Sequence, residues 1–289
     1  MRIRYIPADP AGNLTALTLT QVRPEERAVV PAMMIRYIPA DPAGNLTAIV
    51  LSPVAAQDRA KIAAEMMARC PEGFEQVGFA DETSLTGDLP TLCMMGGEFC
   101  GNATRAFACY AAKVRGRGET RLAISVSGAR EPVPVAVDLR QNRAYAQMPL
   151  PYALEWISVN KKKIPLVRME GIDHALLLDA APSPEAAERV LAAMPKQDAR
   201  GVLFVQGGKM TPLVEVAATG TRVWESSCGS GTVALAWYLA QNLADGMHAF
   251  AFDEPGGRLE ARVAMRAGRA AQIEMGGAVK LGEEAEIEL

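Results

Sequence analysis

Two short stretches, one in each half of the chain, constrain its fold more than anything else. They read Gly96-Gly97-Glu98-Phe99-Cys100-Gly101-Asn102-Ala103 and Glu225-Ser226-Ser227-Cys228-Gly229-Ser230-Gly231-Thr232. Each sets Cys-Gly-(Asn/Ser) just before a run of small and apolar residues that reads as a buried helix, Ala103–Val114 in the first half and Thr232–Leu243 in the second. Strand-like segments surround both. A chain with this pattern folds as two halves on one plan, in the mixed α/β (α+β) class.

The chemistry of such a turn follows from helix electrostatics. A cysteine at a helix N-terminus lies near the positive end of the macrodipole, which favours thiolate over thiol and is expected to lower the pKa. The glycine beside it is expected to let a ligand approach the backbone. The free N–H groups of the first turn, at Gly101 and Asn102 and at Gly229 and Ser230, are suited to an anion such as a carboxylate. Two such turns facing each other across a cleft would place an acid and a base on opposite faces of one carbon. That is what proton exchange at the α-carbon of an amino acid requires. Cys100 and Cys228 are therefore the candidate catalytic pair, and a small amino acid is the expected partner.

The bulk properties exclude several classes. The 289 residues carry a formal net charge of -3, so no nucleic-acid footprint is present. Lys161-Lys162-Lys163 reads as a solvated surface turn. No apolar run reaches the ~20 residues of a membrane span. The start Met1-Arg2-Ile3-Arg4-Tyr5 lacks a signal-peptide core, so the cytoplasm is the expected compartment. The five cysteines are an odd number, which argues against a disulfide framework. Cys70, Cys93 and Cys109 read as packing residues. No CxxC pair occurs and there are two histidines, so no metal is expected, and no signature of pyridoxal phosphate or another cofactor is visible. A homodimer is compatible with the sequence.

The N-terminus carries a duplication. Residues 3–16 read IRYIPADPAGNLTA, and residues 35–48 are identical. A single repeat is no solenoid, which needs about three units. The second copy leads into an alanine-rich helical stretch, whereas the first meets Pro31, which damages a helix. The expected organisation is a duplicated extension over 1–33, an N-terminal domain over 34–149, a C-terminal domain over 150–276, and a closing strand over 277–289 that returns to the N-terminal domain. The boundary falls at Met148-Pro149-Leu150-Pro151.

Periodicity predicts further elements. Helices are expected over 55–68 and 184–194, the latter capped by Ser183. Strands are expected over 48–52, 75–80, 91–95, 121–126, 133–139, 174–178, 202–206, 214–217, 222–224, 259–265 and 270–275.

These residues carry a resemblance. Cys100-Gly101-Asn102 and Cys228-Gly229-Ser230-Gly231-Thr232 resemble the diaminopimelate epimerase superfamily, which includes proline racemases. The chain is most similar to the histidine racemases of opine-metallophore pathways. The matching stretches are Gly44-Asn45-Leu46-Thr47, Glu75 to Phe79, Gly97 to Thr104, Val126-Ser127-Gly128, Trp224 to Thr232, and Glu254-Pro255-Gly256-Gly257. The resemblance implies two pseudo-symmetric domains, each a mixed sheet wrapped around a central helix, with the active site in the cleft between them. It also implies one catalytic cysteine per domain and no cofactor.

The departures from the superfamily bear on substrate. Diaminopimelate epimerases carry an arginine in a loop before the second cysteine that holds the distal carboxylate. Here Trp224-Glu225-Ser226-Ser227 runs almost straight into Cys228. Acidic Glu75 and Glu225 suit a basic or imidazole side chain, so histidine is the expected substrate. Asn45 is read as a substrate contact by its match to the superfamily's Gly-Asn. His174, in Gly171-Ile172-Asp173-His174, resembles the Asn-Pro-His turn of the epimerases and is equally open to a structural role. Arg105 reads as structural. Other readings are a diaminopimelate epimerase or another amino-acid racemase, a phenazine-biosynthesis-type isomerase, a non-catalytic binding protein and a redox dithiol. Retention of both cysteines disfavours the isomerase and the binding protein.

Overall fold

The computed structural model describes residues 4–8, 15–19, 33–217 and 220–289. The chain separates into two compact units, residues 1–34 with 288–289 and residues 35–287. In the first, β1 (Arg4–Ala8) and β2 (Thr15–Leu19) pair antiparallel, with Tyr5 opposite Thr18 and Pro7 opposite Ala16. Pro31 lies outside the described residues.

The larger unit repeats one plan. In its first half, β3 (Met34–Asp41) pairs antiparallel with β4 (Thr47–Val50). This is the hairpin of the second copy, and its register, Tyr37 opposite Val50 and Pro39 opposite Ala48, reproduces that of β1 and β2. Helix α1 (Arg59–Arg69) then crosses to β5 (Gln76–Asp81), parallel to β4. Next, β6 (Thr91–Met94) returns antiparallel to β5. Helix α2 (Gly101–Val114) crosses to β7 (Glu119–Val126), parallel to β6. Strands β8 (Val133–Asp138) and β9 (Arg143–Gln147) complete the half as a meander.

The second half opens with an antiparallel hairpin of β10 (Ala153–Val159) and β11 (Lys162–Arg168). Strand β12 (Ile172–Leu178), helix α3 (Pro184–Ala193) and β13 (Ala199–Gln206) form a parallel crossover like β4-α1-β5. Antiparallel β14 (Lys209–Val216) and β15 (Thr221–Trp224) lead to α4 (Gly229–Ala240). Helix α4 crosses to β16 (Gly246–Glu254), which meets β14 in parallel, and antiparallel β17 (Gly257–Arg266) and β18 (Arg269–Ala278) follow. Each half thus turns two parallel crossovers through helices, the connection that parallel strands require. The halves are joined where β18 pairs antiparallel with β9, Met275 opposite Ala146. Strand β19 (Lys280–Leu281) lies against β3, with Lys280 opposite Asp41, and β20 (Ala285–Glu288) ends the chain.

Both cysteine-opened helices are central. Every residue of α2 from Gly101 to Ala112 is buried, amid Ile49, Leu92, Ile124, Val135 and Val137. Helix α4 buries Val233, Leu235 and Trp237 against Val167, Leu203, Leu259 and Met275. Helices buried to this extent lie inside wrapped sheets, and the small residues of both helices let the sheets close tightly around them. Helix α3 packs Val190 and Leu191 on the other face of the second sheet, against Phe204 and Leu213. Ser183 caps it, accepting from the Ala186 amide at 3.2 Å.

Several expectations are corrected. The helix expected from residue 55 is a short 3-10 turn, Ala56–Asp58, before α1 begins at Arg59. Strands β9, β10, β11 and β16 were not legible in the sequence. They lack a clean alternation: β11 opens with exposed Lys162 and Lys163 and then buries Ile164 to Val167 in succession, and β9 buries Ala144, Tyr145 and Ala146 in succession. Lys161 to Lys163 are exposed, as a solvated run should be, with Lys162 and Lys163 opening β11.

Candidate active site

Cys100 and Cys228 are the N-cap residues of α2 and α4, both in extended backbone, at φ -127° and -120°. The Cys100 Sγ accepts from the Ala103 amide at 3.5 Å, as an N-cap side chain does. The Cys228 Sγ lies 3.5 Å from the Ser230 Oγ.

The two helix starts converge on one side chain. A Cβ placed on Gly101 would lie 2.8 Å from the Met275 Cε, and one on Gly229 would lie 2.7 Å from the same atom. Asn102 Oδ1 stands 4.0 Å from that Gly229 position. Both glycines pack against the flexible ends of methionines, Gly101 under Met148 and Met275 and Gly229 under Met275. Their N–H groups remain candidates for anion binding, since no preceding turn can serve them.

The loops around the cysteines are stitched across the halves. Glu75, immediately before β5, accepts from Asn45 Nδ2 at 2.9 Å and from Ser226 Oγ at 2.6 Å. Asn45 Oδ1 in turn accepts from Gln76 at 2.6 Å and, at 3.4 Å, from Asn102. The Asn45 turn is positioned by backbone against backbone. Gly44 has φ +97°, and a Cβ on Gly256 would lie 2.7 Å from the Gly44 Cα and 3.0 Å from the Ser226 Cβ. Only glycine fits both places.

Glu254 lies under Cys228. Its carboxyl accepts from the Cys228 amide and from the Thr232 hydroxyl, each at 2.6 Å. His174 is fully buried on β12, with its Nε2 at 2.9 Å from Ser230 Oγ and its Nδ1 without a partner. A side chain on Gly201 of β13 would overlap that Nδ1. Burial holds His174 down at about 3, so the ring is neutral.

The thiols overturn one expectation. Burial raises the Cys100 pKa, against the lowering effect of the Ala103 amide, Gln76 and the Asn102 amide. Burial raises Cys228 well above the ordinary thiol value, and the carboxylates of Glu225 and Glu254 push it further up. Helix N-termini do not win here, because desolvation of a charge outweighs a half-charge dipole. The carboxyls respond likewise. Burial lifts Glu225 to about 7, with a hydrogen bond to Cys228 pulling the other way, and lifts Glu254 to about 8.

Of the residues singled out in the sequence, Cys100, Gly101, Asn102, Asn45 and Glu75 gather on the first half's side, and Cys228, Gly229, Ser230, Glu225 and His174 on the second's. Gln76, Ser226 and Glu254 join them without having been singled out. Gln76 and Glu254 stand in the matched blocks, but only their partners reveal them. Cys70 and Cys109 are buried and Cys93 half-buried, all as free thiols. Burial pushes Cys109 up to about 12. Among the described residues no group of three or more His, Cys, Asp or Glu gathers as a metal site, and no helix is long and apolar enough to cross a membrane.

Comparison with known proteins supplies a lineage. A family model described as the N-terminal domain of the histidine racemase CntK matches residues 34–287. A histidine racemase of Fusobacterium nucleatum subsp. nucleatum is 34% identical over 179 residues, covering 57% of this chain and 65% of the relative. This chain therefore spans just under two thirds of that relative's length. The histidine racemase of Staphylococcus aureus is 26% identical over 198 residues, covering 64% of this chain and 72% of the relative. Among solved structures, a phenazine biosynthesis PhzF-family protein of Enterococcus faecalis superposes with a TM-score of 0.62 at 16% identity, covering 89% of this chain and 100% of that one. A probable proline racemase of Agrobacterium radiobacter gives 0.61 at 15% identity, covering 88% and 93%. These two share the two-domain fold.

Proposed function

The chain belongs to the family of the histidine racemase CntK, and we propose that it is an amino-acid racemase that interconverts L- and D-histidine through Cys100 and Cys228. The observation that carries this reading is the convergence of two cysteine-capped helix starts, one from each half, on Met275. The identity of the Fusobacterium relative supports the substrate.

In this reading the α-carboxylate binds at the first-turn N–H groups of α2 and α4. One sulfur, as thiolate, takes the α-proton, and the electron pair passes into the carboxylate as an enediolate, which those N–H groups stabilise. The opposite thiol returns its own proton to the other face. Turnover leaves the two sulfurs with exchanged protonation, and exchange with solvent resets them. Both thiols rest neutral, Cys228 buried and Cys100 half-buried, and ionisation is coupled to binding. The substrate's α-ammonium provides a positive charge beside the sulfur that ionises.

Glu225 is the better partner for the imidazole. Both oxygens of Glu75 are engaged by Asn45 and Ser226, so Glu75 acts as the brace of the site. A charge-assisted hydrogen bond to Glu225 contributes roughly 1.5–3 kcal/mol, about a ten- to hundredfold preference over an apolar side chain.

The test is solvent deuterium exchange at the α-carbon, followed for single amino acids. Exchange with histidine is expected, and each of Cys100→Ser and Cys228→Ser should nearly abolish it, since a hydroxyl is a far weaker acid than a thiol. Fast exchange with diaminopimelate and none with histidine would overturn the substrate. Full activity in either serine variant would overturn the two-cysteine mechanism.

A further inference from the structure

Three side chains form a line that ends on one of the two sulfurs. His174 stands on β12 and is completely buried. Its Nε2 lies 2.9 Å from the Ser230 Oγ, and that oxygen lies 3.5 Å from the Cys228 Sγ. Ser230 follows Gly229 in the first turn of α4, the helix that Cys228 caps. The far end of the line is closed. Among the described residues His174 Nδ1 is buried with no partner, and a Cβ on Gly201, opposite it on β13, would lie 2.1 Å from that nitrogen. Val167 of β11 stands opposite His174 on the other side. Neither neighbour titrates. The adjacent Asp173 pairs with Arg168.

These contacts fix the direction of the hydrogen bonds. Burial holds His174 at about 3, so the ring is neutral and carries a single N–H. A buried N–H with no acceptor is rarer and costlier than a bare lone pair. The proton is therefore assigned to Nε2, the nitrogen that has a partner. Nε2 donates and the Ser230 Oγ accepts, which leaves the hydroxyl its own proton for the sulfur. Every donor in the line then points toward Cys228. Because Nε2 already holds a proton, His174 is not the base that deprotonates Ser230.

A thiolate at Cys228 needs such a donor. Burial, Glu225 in the loop before it and Glu254 of β16 all oppose ionisation of this sulfur, and Ser230 favours it. A serine hydroxyl on its own rotates to suit its surroundings. One whose oxygen is engaged by a buried ring has its proton aimed, and each bond in such a chain polarises the next.

We propose that His174 is a positioning residue for Cys228: its Nε2–H fixes the Ser230 hydroxyl as a hydrogen-bond donor to the Cys228 thiolate. The inference rests on the two-cysteine reading. In it His174 works through Ser230 and not on the substrate.

The test reads the sulfur itself. Alkylation of Cys228 by iodoacetamide, a reagent smaller than histidine, is followed at about pH 8 by peptide mass spectrometry in the full chain and its variants. The thiolate is the species that reacts, so the rate follows its population. Ser230→Ala should slow alkylation about tenfold, the loss of one hydrogen bond to a charged group. His174→Phe keeps the bulk and removes the donor, and should slow it about threefold or more. Made in the Ser230→Ala background, His174→Phe should add less than about twofold, because its effect passes through the hydroxyl. A purely structural histidine would slow both backgrounds alike, and that result overturns the proposal. So does a parent rate in either single variant. If His174→Phe does not fold, His174→Gln decides, since its amide reaches the place of Nε2. A rate within about threefold of the parent supports the relay, and a slower one overturns it. Alkylation needs no turnover, so failure of the racemase reading would show separately, as exchange that persists in Cys228→Ser.

Discussion

Glu254→Gln should change the pH dependence of stability while leaving the hydrogen bonding around Cys228 intact. The Glu254 carboxyl is buried and accepts two hydrogen bonds, from the Cys228 amide and the Thr232 hydroxyl. Glutamine can keep both contacts, its oxygen accepting from Cys228 and its amide donating to the Thr232 hydroxyl, which also accepts. What it removes is a titration. Burial lifts Glu254 from 4.5 to about 8, so the folded chain holds this proton where the unfolded chain has lost it. The stability from this group is complete below pH 4.5 and is lost progressively as pH rises to about 8. The slope is about 1.4 kcal/mol per pH unit, which amounts to roughly 3 kcal/mol at pH 7. His174 acts in the opposite sense, because a neutral buried ring loses stability as pH falls below 6.5 toward about 3. It is common to both proteins and cancels in the difference. Urea denaturation of the two proteins between about pH 5 and 8 should show the variant gaining on the parent by roughly 1 kcal/mol or more per unit. Parallel curves over that range would refute a raised Glu254 carboxyl and the buried cluster on which the reasoning stands.

Two further outcomes follow from the geometry. Gly256→Ala should cost several kcal/mol of stability and most of the activity, because its Cβ would lie 2.7 Å from the Gly44 Cα and displace the Asn45 turn; a thermal melt unchanged within a degree would show that the two turns are not in contact. A chain beginning at Met34 should fold and exchange the α-proton of histidine like the full chain, because the second copy supplies β3 and β4; insolubility, read by size-exclusion chromatography, would assign the first copy a structural role.

Much of the fold and part of the site were written locally. The cysteine turns, the helices they open, the Ser183 cap and the hydrophobic strands around them depend on neighbours within a few residues, so their pattern survives in one dimension. Cys100, Cys228 and the turn residues beside them could be named for that reason. Strands β10, β11 and β16 could not, because their residues show no regular two-residue alternation and each is held by partners supplied by the tertiary fold.

The rest is set by contacts between residues distant in sequence. Ser226 reaches Glu75, Glu254 reaches Cys228, and Arg105 reaches Gly277, and nothing local marks these pairs. The thiol pKa shows the difference most clearly. A cysteine at a helix start predicts a lowered value from the dipole of its own helix. Burial is a property of everything packed around the sulfur, and here it raises both thiols. The sequence alone singled out Cys100 and Cys228 as the candidate pair, since identity and local backbone suffice for that. Only the tertiary structure decided their partners and the direction of their pKa shifts, because burial and the arrival of Glu254 at Cys228 are consequences of packing.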